Sequence, residues 1–365
     1  MIIRPITDSD LPALQAIAVE SGPGFNSLID DRVFLEQKIA HAMDSFRRSV
    51  DAPDREGYLF VLEDPDTGDI MGTTGIEAAV GHRNPLYHFQ ISHVRHRSPE
   101  LGLACQQDVL HLCNHYTGCS EVCSLFLRPQ FRRANAGRLL SRVRFLFMAQ
   151  HPERFADTVI AEMRGVSGDN GESPFWQAFQ RHFVNLDFET VTRLAGLGHT
   201  RAIADMMPRH PIYSRFLDDA ACRAIGEVHQ QTRPARQMLE SEGFRYTGYV
   251  DPFDAGPTLE VRRDDIRSIR DSIGCSVQPL EDTDATLAQA HGTHHHDTIA
   301  IANGGVSDFR ATVTDQAVYL PRHNRLLVPG HVLEQLNCAS GDTIGFTRLS
   351  PAAQATMPKE VSHAL

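Results

Sequence analysis

The spacing of apolar residues predicts helices and strands along most of the chain. Leu11, Leu14 and Ile17 recur at helical spacing and predict a helix after a short strand that begins at Ile2. Period-two alternation and short apolar runs bounded by turn residues predict further strands. The predicted helices cover 11–18, 31–50, 135–150, a stretch that begins at Ser173-Pro174, and 234–242. The predicted strands cover 2–4, 58–62, 70–76, 87–91, 123–127, 158–163, 317–320, 325–328 and 343–346.

The succession of helices and strands indicates a mixed α/β fold, and the length indicates more than one unit. A chain of 365 residues favours two domains, because a domain takes roughly 150 residues. A second unit is predicted to begin near Leu194. The run 275–305 is polar and rich in His, Asp, Thr and Ala, so it is predicted to be a loosely packed or insert-bearing segment.

Composition and charge then exclude several classes of protein. The apolar fraction of 41% and the charged fraction of 22% are those of a globular chain rather than a disordered one. The net charge of −11 disfavours binding to the phosphate backbone of nucleic acids. No run approaches the roughly 20 apolar residues of a membrane span, and the first ten residues do not resemble a secretion signal. Neither a nucleic acid nor a membrane is an expected partner.

The seven cysteines are scattered, which favours reduced thiols and a cytoplasmic location. The stretch His111-x-Cys113-x-His115 contains zinc-ligand residue types, but it lacks paired Cys-x-x-Cys spacing, so no metal site is predicted. Cys123 lacks a nearby catalytic His, and a buried strand cysteine is the favoured interpretation over a nucleophile. The His294-His295-His296 run is interpreted as a solvated loop.

The stretch 126–140 has the order expected of an anion site. A strand ends at Arg128-Pro129, a basic loop of small residues follows, and a helix begins near Asn135. Backbone N–H groups and the helix dipole then converge on one point, where Arg132 and Arg133 can add charge. An ordinary strand-to-helix turn with solvated arginines is the alternative.

The loop resembles the coenzyme A pyrophosphate loop of the GNAT acyltransferases, Arg/Gln-x-x-Gly-x-Gly/Ala. Arg132 and Gly137 match the first and last positions, and Asn135 replaces the middle glycine. Asn is the next-best residue where a positive φ is needed.

Several longer motifs, taken together, narrow the resemblance to the arginine N-succinyltransferase family. They run in order, at matching spacing, from Ile3 to about Glu260, fade over 275–305 and return weakly near Gly341-Asp342. The motifs are 120–127, 144–149, 161–165, 173–176, 210–213, 226–236 and 253–260.

The resemblance implies a fold and a reaction. The fold would be two tandem GNAT-like units, over 1–190 and 191–345, with a tail at 346–365 and terminal strands that can be exchanged between the units. The reaction would transfer succinyl from succinyl-CoA to the α-amino group of L-arginine, the first step of arginine catabolism by this route. Succinyl-CoA would be a substrate, and no cofactor would be bound permanently.

The resemblance also implies site residues. His229, in the Glu227-Val228-His229 stretch, matches the family's proton donor. Leu125 lies on the strand expected beside the pantetheine arm, where it contacts the acyl donor chiefly through its backbone. The loop residues expected to bind CoA are Arg132, Arg133, Ala134, Asn135, Ala136 and Gly137.

Two alternatives to this assignment stay open on the sequence. The chain could be a subunit of an arginine/ornithine succinyltransferase, either as a homo-oligomer or paired with a homologous chain. It could also be a non-catalytic subunit that binds CoA or an amino acid and regulates a partner; the replaced loop glycine and the divergent run 275–305 are the only support for this.

Overall fold

A computed structural model describes residues 1–22, 24–133, 135–168, 171–280, 293–294 and 298–349. It confirms the mixed α/β class. The helices are α1 (Leu11–Ser21), α2 (Arg32–Arg47), α3 (Ala136–Gln150), α4 (Pro174–Gln180), α5 (Phe188–Leu194), α6 (Thr200–Met206), α7 (Asp219–Ala224), α8 (Arg233–Glu240), α9 (Arg267–Arg270) and α10 (Gly330–Leu336). The strands are β1 (Ile2–Pro5), β2 (Gly57–Glu63), β3 (Ile70–Glu77), β4 (His88–Ser98), β5 (Leu103–Cys113), β6 (Ser120–Leu127), β7 (Thr158–Glu162), β8 (Ile212–Tyr213), β9 (Arg245–Val250), β10 (Pro257–Arg262), β11 (Ile273–Pro279), β12 (Thr293–His294), β13 (Ile299–Asn303), β14 (Ala311–Thr314), β15 (Val318–Leu320), β16 (Arg325–Val328) and β17 (Thr343–Arg348).

The 17 described strands form one continuous sheet. Their order is β12-β15-β16-β11-β17-β13-β14-β1-β2-β3-β6-β7-β10-β9-β4-β5-β8. Among the described pairs, β6–β7 and β11–β16 are parallel and the others are antiparallel. The β6–β7 pair lies in the inner part of this order, and Leu125, one of the residues predicted for the site, lies on β6.

The main hydrophobic core lies between the central strands and helices α1 to α3. Helix α2 begins where the Asp31 side chain accepts a hydrogen bond from the Phe34 N–H, at 3.0 Å. Its buried residues recur at helical spacing, and α3 is buried along most of its length. This packing holds the start of α3 against the end of β6.

A second core covers the other side of β4, β5 and β9. It is rich in aromatic residues from α4, and Ser173 caps that helix by accepting a hydrogen bond from the Trp176 N–H at 3.2 Å. Pro174 occupies the first helical turn, as predicted from the sequence. The helices between 174 and 224 are thereby fixed over one face of the sheet.

The prediction that 275–305 is loosely packed is wrong over its described part, while the predicted insert would fall on 281–292 and 295–297, outside the described residues. β11 and β13 cross this run, and every residue of Ile299–Asn303 is buried. β13 pairs with β14 on one side and β17 on the other, so its small alanines fill a strand covered on both edges. The polar average of the whole run conceals this short apolar stretch. His295 and His296 lie outside the described residues.

The predicted boundary near residue 190 falls between strands that are neighbours in the sheet. β7 precedes it and β10 follows it, and the two pair over five residues from Thr258↔Glu162 to Arg262↔Thr158. The main core also contains residues from both sides. The division into units at 1–190 and 191–345 stays a prediction.

Candidate active site

The parallel strands β6 and β7 pair only at their beginnings. Their register covers Ser120↔Val159 and Glu121↔Ile160. Beyond that point β6 continues to Leu127 along β3, while β7 continues to Glu162 along β10. The facing edges of the two strands are therefore left unpaired with each other from residue 122 onward, and an extended ligand can lie between them.

A β-bulge in β6 marks the point where the two strands part. Ser124 has φ +51°, and the register with β3 shifts between Thr73 and Gly75. The Thr73 hydroxyl donates to the Ser124 carbonyl at 2.9 Å and fixes the bulge. A bulge bends its strand and redirects the groups that follow it. Leu125 is the next residue, and its half-buried side chain packs against the main core.

The loop between β6 and α3 has the geometry expected of an anion site. Asn135 has φ +69° and precedes the first residue of α3, so the replaced glycine position does take a left-handed conformation. Ala136 is fully buried and Gly137 lies in the first turn. The first N–H groups of the 15-residue helix α3 point out of its N-terminus. Ala134 lies outside the described residues.

The two loop arginines differ in their surroundings. Arg133 donates to Asp64 at 2.9 Å, and this contact and a hydrogen bond from the Asp66 backbone hold the pKa of Asp64 below its usual value. Arg132 is exposed and forms no ion pair within the described ranges. Arg132 is therefore the better placed of the two to bind a phosphate.

His229 is fixed beside the end of β7. Its backbone N–H donates to the Arg164 carbonyl at 2.9 Å, two residues after β7 ends. Its Nδ1 accepts a hydrogen bond from the Gln231 N–H at 3.3 Å. With Nδ1 as an acceptor, the proton of the neutral ring is on Nε2. The half-buried ring can donate a hydrogen bond through that atom, and in its protonated form it can give a proton there.

Hydrogen bonds from the segment around Asp254 hold the end of β7 next to the loop that carries His229. The Asp254 carboxylate accepts the N–H groups of Gly165 at 2.7 Å and Gly256 at 2.8 Å. The Gly226 N–H donates to the Ala255 carbonyl at 2.9 Å. A Cβ at Gly165 would lie 2.3 Å from the Asp254 carbonyl, and one at Gly256 would lie 2.0 Å from the Met163 carbonyl. Only glycine permits so close an approach of the two segments.

An open cleft of about 580 Å³ lies next to these segments. Two carboxylates, Glu162 and Asp251, line it among mostly apolar neighbours. Glu162 ends β7 and Asp251 follows β9, and both flank the start of β10, where Thr258 pairs with Glu162 and Pro257 with Val250. The remaining lining residues are Asn26, Leu86, Tyr87, Leu112, Ala195, Gly196, Thr200, Ile203, Ala204, Met207, Pro252 and Phe253.

Negative charge is disfavoured on Asp251, which lines the cleft, and on the neighbouring Asp254. Burial, with the neighbouring charges of Asp254 and Glu162, raises the pKa of Asp251 well above its usual value. Burial and the charge of Glu162 raise the pKa of Asp254 to about 6, against the effect of its two backbone hydrogen bonds. The Arg164 guanidinium opposes this shift, but burial lowers its own pKa.

A second, much smaller pocket, with a volume of about 10 Å³, lies under the bulge. Lys38 on α2 donates to Glu77 there at 3.2 Å, and Cys123 also lines it. Burial, with the charges of Glu77 and Glu121, raises the pKa of the Cys123 thiol to about 12. Its thiolate is therefore scarce at neutral pH, which speaks against Cys123 as an acyl-accepting nucleophile.

The histidines and cysteine considered for a metal site have other surroundings. His111 lies 3.0 Å from the Ser92 hydroxyl, and His115 lies 3.2 Å from the Tyr249 hydroxyl. Within the described residues, no group of three or more His, Cys, Asp or Glu side chains could hold a metal ion. No helix in the same part of the chain has the length and apolarity to cross a membrane.

Comparison with known proteins identifies the family. A family model described as "Arginine N-succinyltransferase beta subunit" matches residues 1–268. The chain belongs to the arginine N-succinyltransferase family. It is 40% identical over 352 residues to the arginine N-succinyltransferases of Shigella sonnei (strain Ss046) and Escherichia coli (strain 55989 / EAEC), covering 96% of this chain and 98% of each relative. The family confirms the expected class of enzyme, an acyltransferase.

A solved structure agrees with this assignment. The arginine/ornithine succinyltransferase subunit AI from Pseudomonas aeruginosa superposes with a TM-score of 0.84 and 34% identity, covering 96% of this chain and 99% of that one. The architecture around β6, β7 and α3 is therefore that of a succinyltransferase family with a known fold.

The sequence indicated the loop, Leu125 and His229 as site residues. It did not indicate the carboxylates at and beside the cleft. Glu162 and Asp254 lie inside motifs that carried the resemblance, and Asp251 stands two residues before one of them. In the sequence, Asp251, Asp254 and Gly256 have the pattern of an ordinary turn. Only the fold places these residues beside Glu162.

Proposed function

We propose that this chain transfers the succinyl group of succinyl-CoA to the α-amino group of L-arginine. The observation that carries the proposal is the opening between β6 and β7, which has His229 hydrogen-bonded at one side and a carboxylate-lined cleft beside it. The opening suits an extended acyl-CoA arm, and the cleft suits a cationic amino acid. Membership of the arginine N-succinyltransferase family supports the choice of both substrates.

The donor half of the site is proposed to bind CoA from the loop toward the bulge. The pyrophosphate accepts the N–H groups at the start of α3, and Arg132 adds charge from the loop. The pantetheine arm lies along the unpaired edge of β6. The thioester then reaches Leu125, whose N–H stabilises the oxyanion of the tetrahedral intermediate.

The chemical step is proposed to be direct attack in a ternary complex. The α-ammonium group loses a proton, and the neutral amine forms a C–N bond with the thioester carbon. The intermediate collapses as the C–S bond breaks. In its protonated form, His229 gives a proton through Nε2 to the departing thiolate, and the new amide nitrogen loses its extra proton to water, so that N2-succinyl-arginine and CoA are released.

The decisive assay measures free thiol released from succinyl-CoA, with and without arginine, and identifies the product by mass spectrometry. We expect arginine-dependent thiol release and one succinyl group on the α-nitrogen. A parallel assay with ornithine separates a single-substrate enzyme from one that accepts both amino acids. Thiol release that does not depend on either amino acid would contradict the proposal and favour a regulatory, CoA-binding subunit.

A His229→Ala variant tests the proton donor. We expect turnover at saturating substrates to fall by about 10²- to 10⁴-fold, the usual contribution of a general acid. The matched control is His331→Ala, because His331 is exposed on α10. Near-normal turnover in His229→Ala would remove His229 from the mechanism.

A Gly137→Val variant tests the CoA loop. A Cβ at Gly137 would contact only the Leu127 side chain, at 3.8 Å, so the protein itself tolerates the larger residue. We expect the KM for succinyl-CoA to rise by about tenfold or more while the KM for arginine changes little, because the added methyl groups block close approach of the pyrophosphate. The affinity of the protein for CoA should also weaken with added salt, because Arg132 and Arg133 act mainly by charge and salt screens it. A loss of arginine affinity alone would assign the loop to the other substrate.

The assembly and the compartment are further parts of the proposal. All seven cysteines are free, which favours a reducing cytoplasm. The related Pseudomonas aeruginosa protein is named as a subunit, so a homo-oligomer or a pairing with a homologous chain is proposed here as well. Sedimentation of the purified protein measures directly whether it forms a homo-oligomer.

A further inference from the structure

The cleft carries negative charge without a cation among its lining residues. Glu162 and Asp251 both face it, and no lysine or arginine lies among the described residues that line it. Arg164, the cation nearest in sequence, donates to the Ser167 hydroxyl at 3.1 Å. Both carboxylates are half-buried, and an anion partly withdrawn from water without a cationic partner is costly, so this cleft favours a cationic ligand.

A fully buried histidine provides a second, independent observation. His88 is 0% exposed, and neither of its ring nitrogens has a hydrogen-bond partner among the described residues. Its Nε2 lies 2.8 Å from Oε1 of Glu162, although the two groups are not aligned for a hydrogen bond. The buried His88 ring thus lies against Glu162. The Glu162 carboxylate can still accept a hydrogen bond from a ligand in the cleft.

The orientation of Asp251 is fixed by the backbone. Its Oδ1 accepts the N–H groups of Phe253 at 2.7 Å and Asp254 at 3.0 Å. No described residue donates to Oδ2, which leaves that oxygen for a ligand. Two carboxylates held in place beside an apolar wall fit a planar cation at the end of an aliphatic stem.

We propose that Glu162 and Asp251 together bind the guanidinium group of the substrate arginine. The methylene groups of the substrate then pack against apolar lining residues such as Ile203, Met207 and Phe253. Glu162 and Asp251 are the residues that select a guanidinium over the shorter ammonium of ornithine. This inference rests on the proposed function, because it assigns one end of the proposed substrate.

The proposal is tested by comparing arginine with citrulline, which keeps the α-ammonium and the stem but replaces the guanidinium with a neutral group. Dissociation constants for both are measured by calorimetry on protein saturated with CoA. The variants are Asp251→Asn and Glu162→Gln. In Asp251→Asn, the side-chain amide oxygen can still accept the Phe253 and Asp254 N–H groups, so this variant is expected to fold.

The matched control is Asp205→Asn. Asp205 is exposed on α6 next to the lining residue Ala204, so this change removes the same charge outside the cleft. We expect arginine binding in the control to stay within about twofold of the wild type, because exposed charges are screened.

The wild type is expected to bind arginine at least about tenfold more tightly than citrulline, the size of a charge-assisted contact. Each cleft variant should weaken arginine binding by about 10- to 100-fold and citrulline binding by less than about threefold. Equal weakening of both ligands would place the α-ammonium at the carboxylates and overturn the proposal, and so would unchanged arginine binding. A wild type that binds arginine but transfers no succinyl group would refute the proposed function and leave this result standing.

Discussion

Two clusters of charged residues in this molecule differ in whether negative charge is paired with positive charge inside the fold. In one, Glu242 lies between Arg142 and Arg267, forming ion pairs with both, and its second oxygen accepts the Ser268 N–H at 2.7 Å. In the other, Glu162, Asp251 and Asp254 lie close enough to raise the pKa values of the two aspartates. The first cluster satisfies its charges within the fold. The second leaves negative charge facing an open cleft.

The difference separates a structural role from a functional one. The Glu242 cluster joins α3, the end of α8 and α9, and Arg142 also donates to the Leu349 carbonyl, so the network ties the C-terminal strands to the main core. At the cleft, Asp251 and Asp254 accept backbone N–H groups but form no ion pair with a lysine or arginine in the described structure, and Oε1 of Glu162 has no hydrogen-bonded partner there. Unbalanced charge persists where a ligand supplies the balance.

The largest expected effect comes from Glu242→Gln. The change leaves Arg142 and Arg267 without their buried anion, and we expect the free energy of unfolding in urea to fall by about 3–5 kcal/mol. The control is Glu240→Gln, since Glu240 forms an exposed pair with Arg236 at 2.8 Å. That change should cost no more than about 0.5 kcal/mol. An equal loss of unfolding free energy in the two variants would show that the buried Glu242 network stabilises the fold no more than an exposed ion pair does.

A smaller effect is expected from pH at the cleft. The pKa of Asp254 rises from 3.8 to about 6 in the folded protein, and that of Asp251 also rises. The folded state then binds more protons than the unfolded state, so this contribution to stability is lost as pH rises through the range from about 4 to above 6. Asp251→Asn should match the wild type near pH 4.

At neutral pH the same Asp251→Asn variant should be more stable than the wild type by about 1 kcal/mol or more, the equivalent of one pKa unit. The measurement is the difference in unfolding free energy between the two proteins across this range. A difference that does not change with pH would show that the cleft carboxylates are not strained by their charge.

The smallest expected effect comes from Glu162→Gln, the same substitution made at the unbalanced cluster. Removing one of several neighbouring negative charges lowers their repulsion, so we expect the free energy of unfolding to change by no more than about 1 kcal/mol or to increase. A loss of stability as large as that of Glu242→Gln would show that Glu162 has a structural role and would contradict the difference drawn between the two clusters.

Local signals in the sequence predicted the strand, loop and helix that carry the proposed donor half of the site. The Pro129 turn, the small residues after it and the apolar spacing of α3 are all close in sequence. The left-handed conformation of Asn135 was expected because Asn replaces the middle glycine of the loop pattern that the sequence resembles. The bulge at Ser124 could not be predicted in this way. It depends on the register between β6 and β3, which brings Thr73 onto the Ser124 carbonyl.

The acceptor half depends on pairings that no local pattern encodes. Glu162 and Asp251 are distant in sequence and meet because β10 inserts between β7 and β9. Their electrostatic state also depends on burial, which the sequence does not give for a strand-end Glu or a turn Asp. The same reason explains the wrong prediction for 275–305, where the pairing of β13 with β14 and β17 outweighs the polar composition of the run.

Proton release on arginine binding tests the account most directly. If the guanidinium balances the cleft, it lowers the pKa values of Asp251 and Asp254, and at pH 6 these groups release protons as arginine binds. Calorimetry of CoA-saturated protein in two buffers of different ionisation enthalpy counts those protons, with citrulline as the matched ligand. We expect arginine to release more protons than citrulline, and the excess to disappear in Asp251→Asn. Equal release by the two ligands would show that the substrate cation does not sit at these carboxylates.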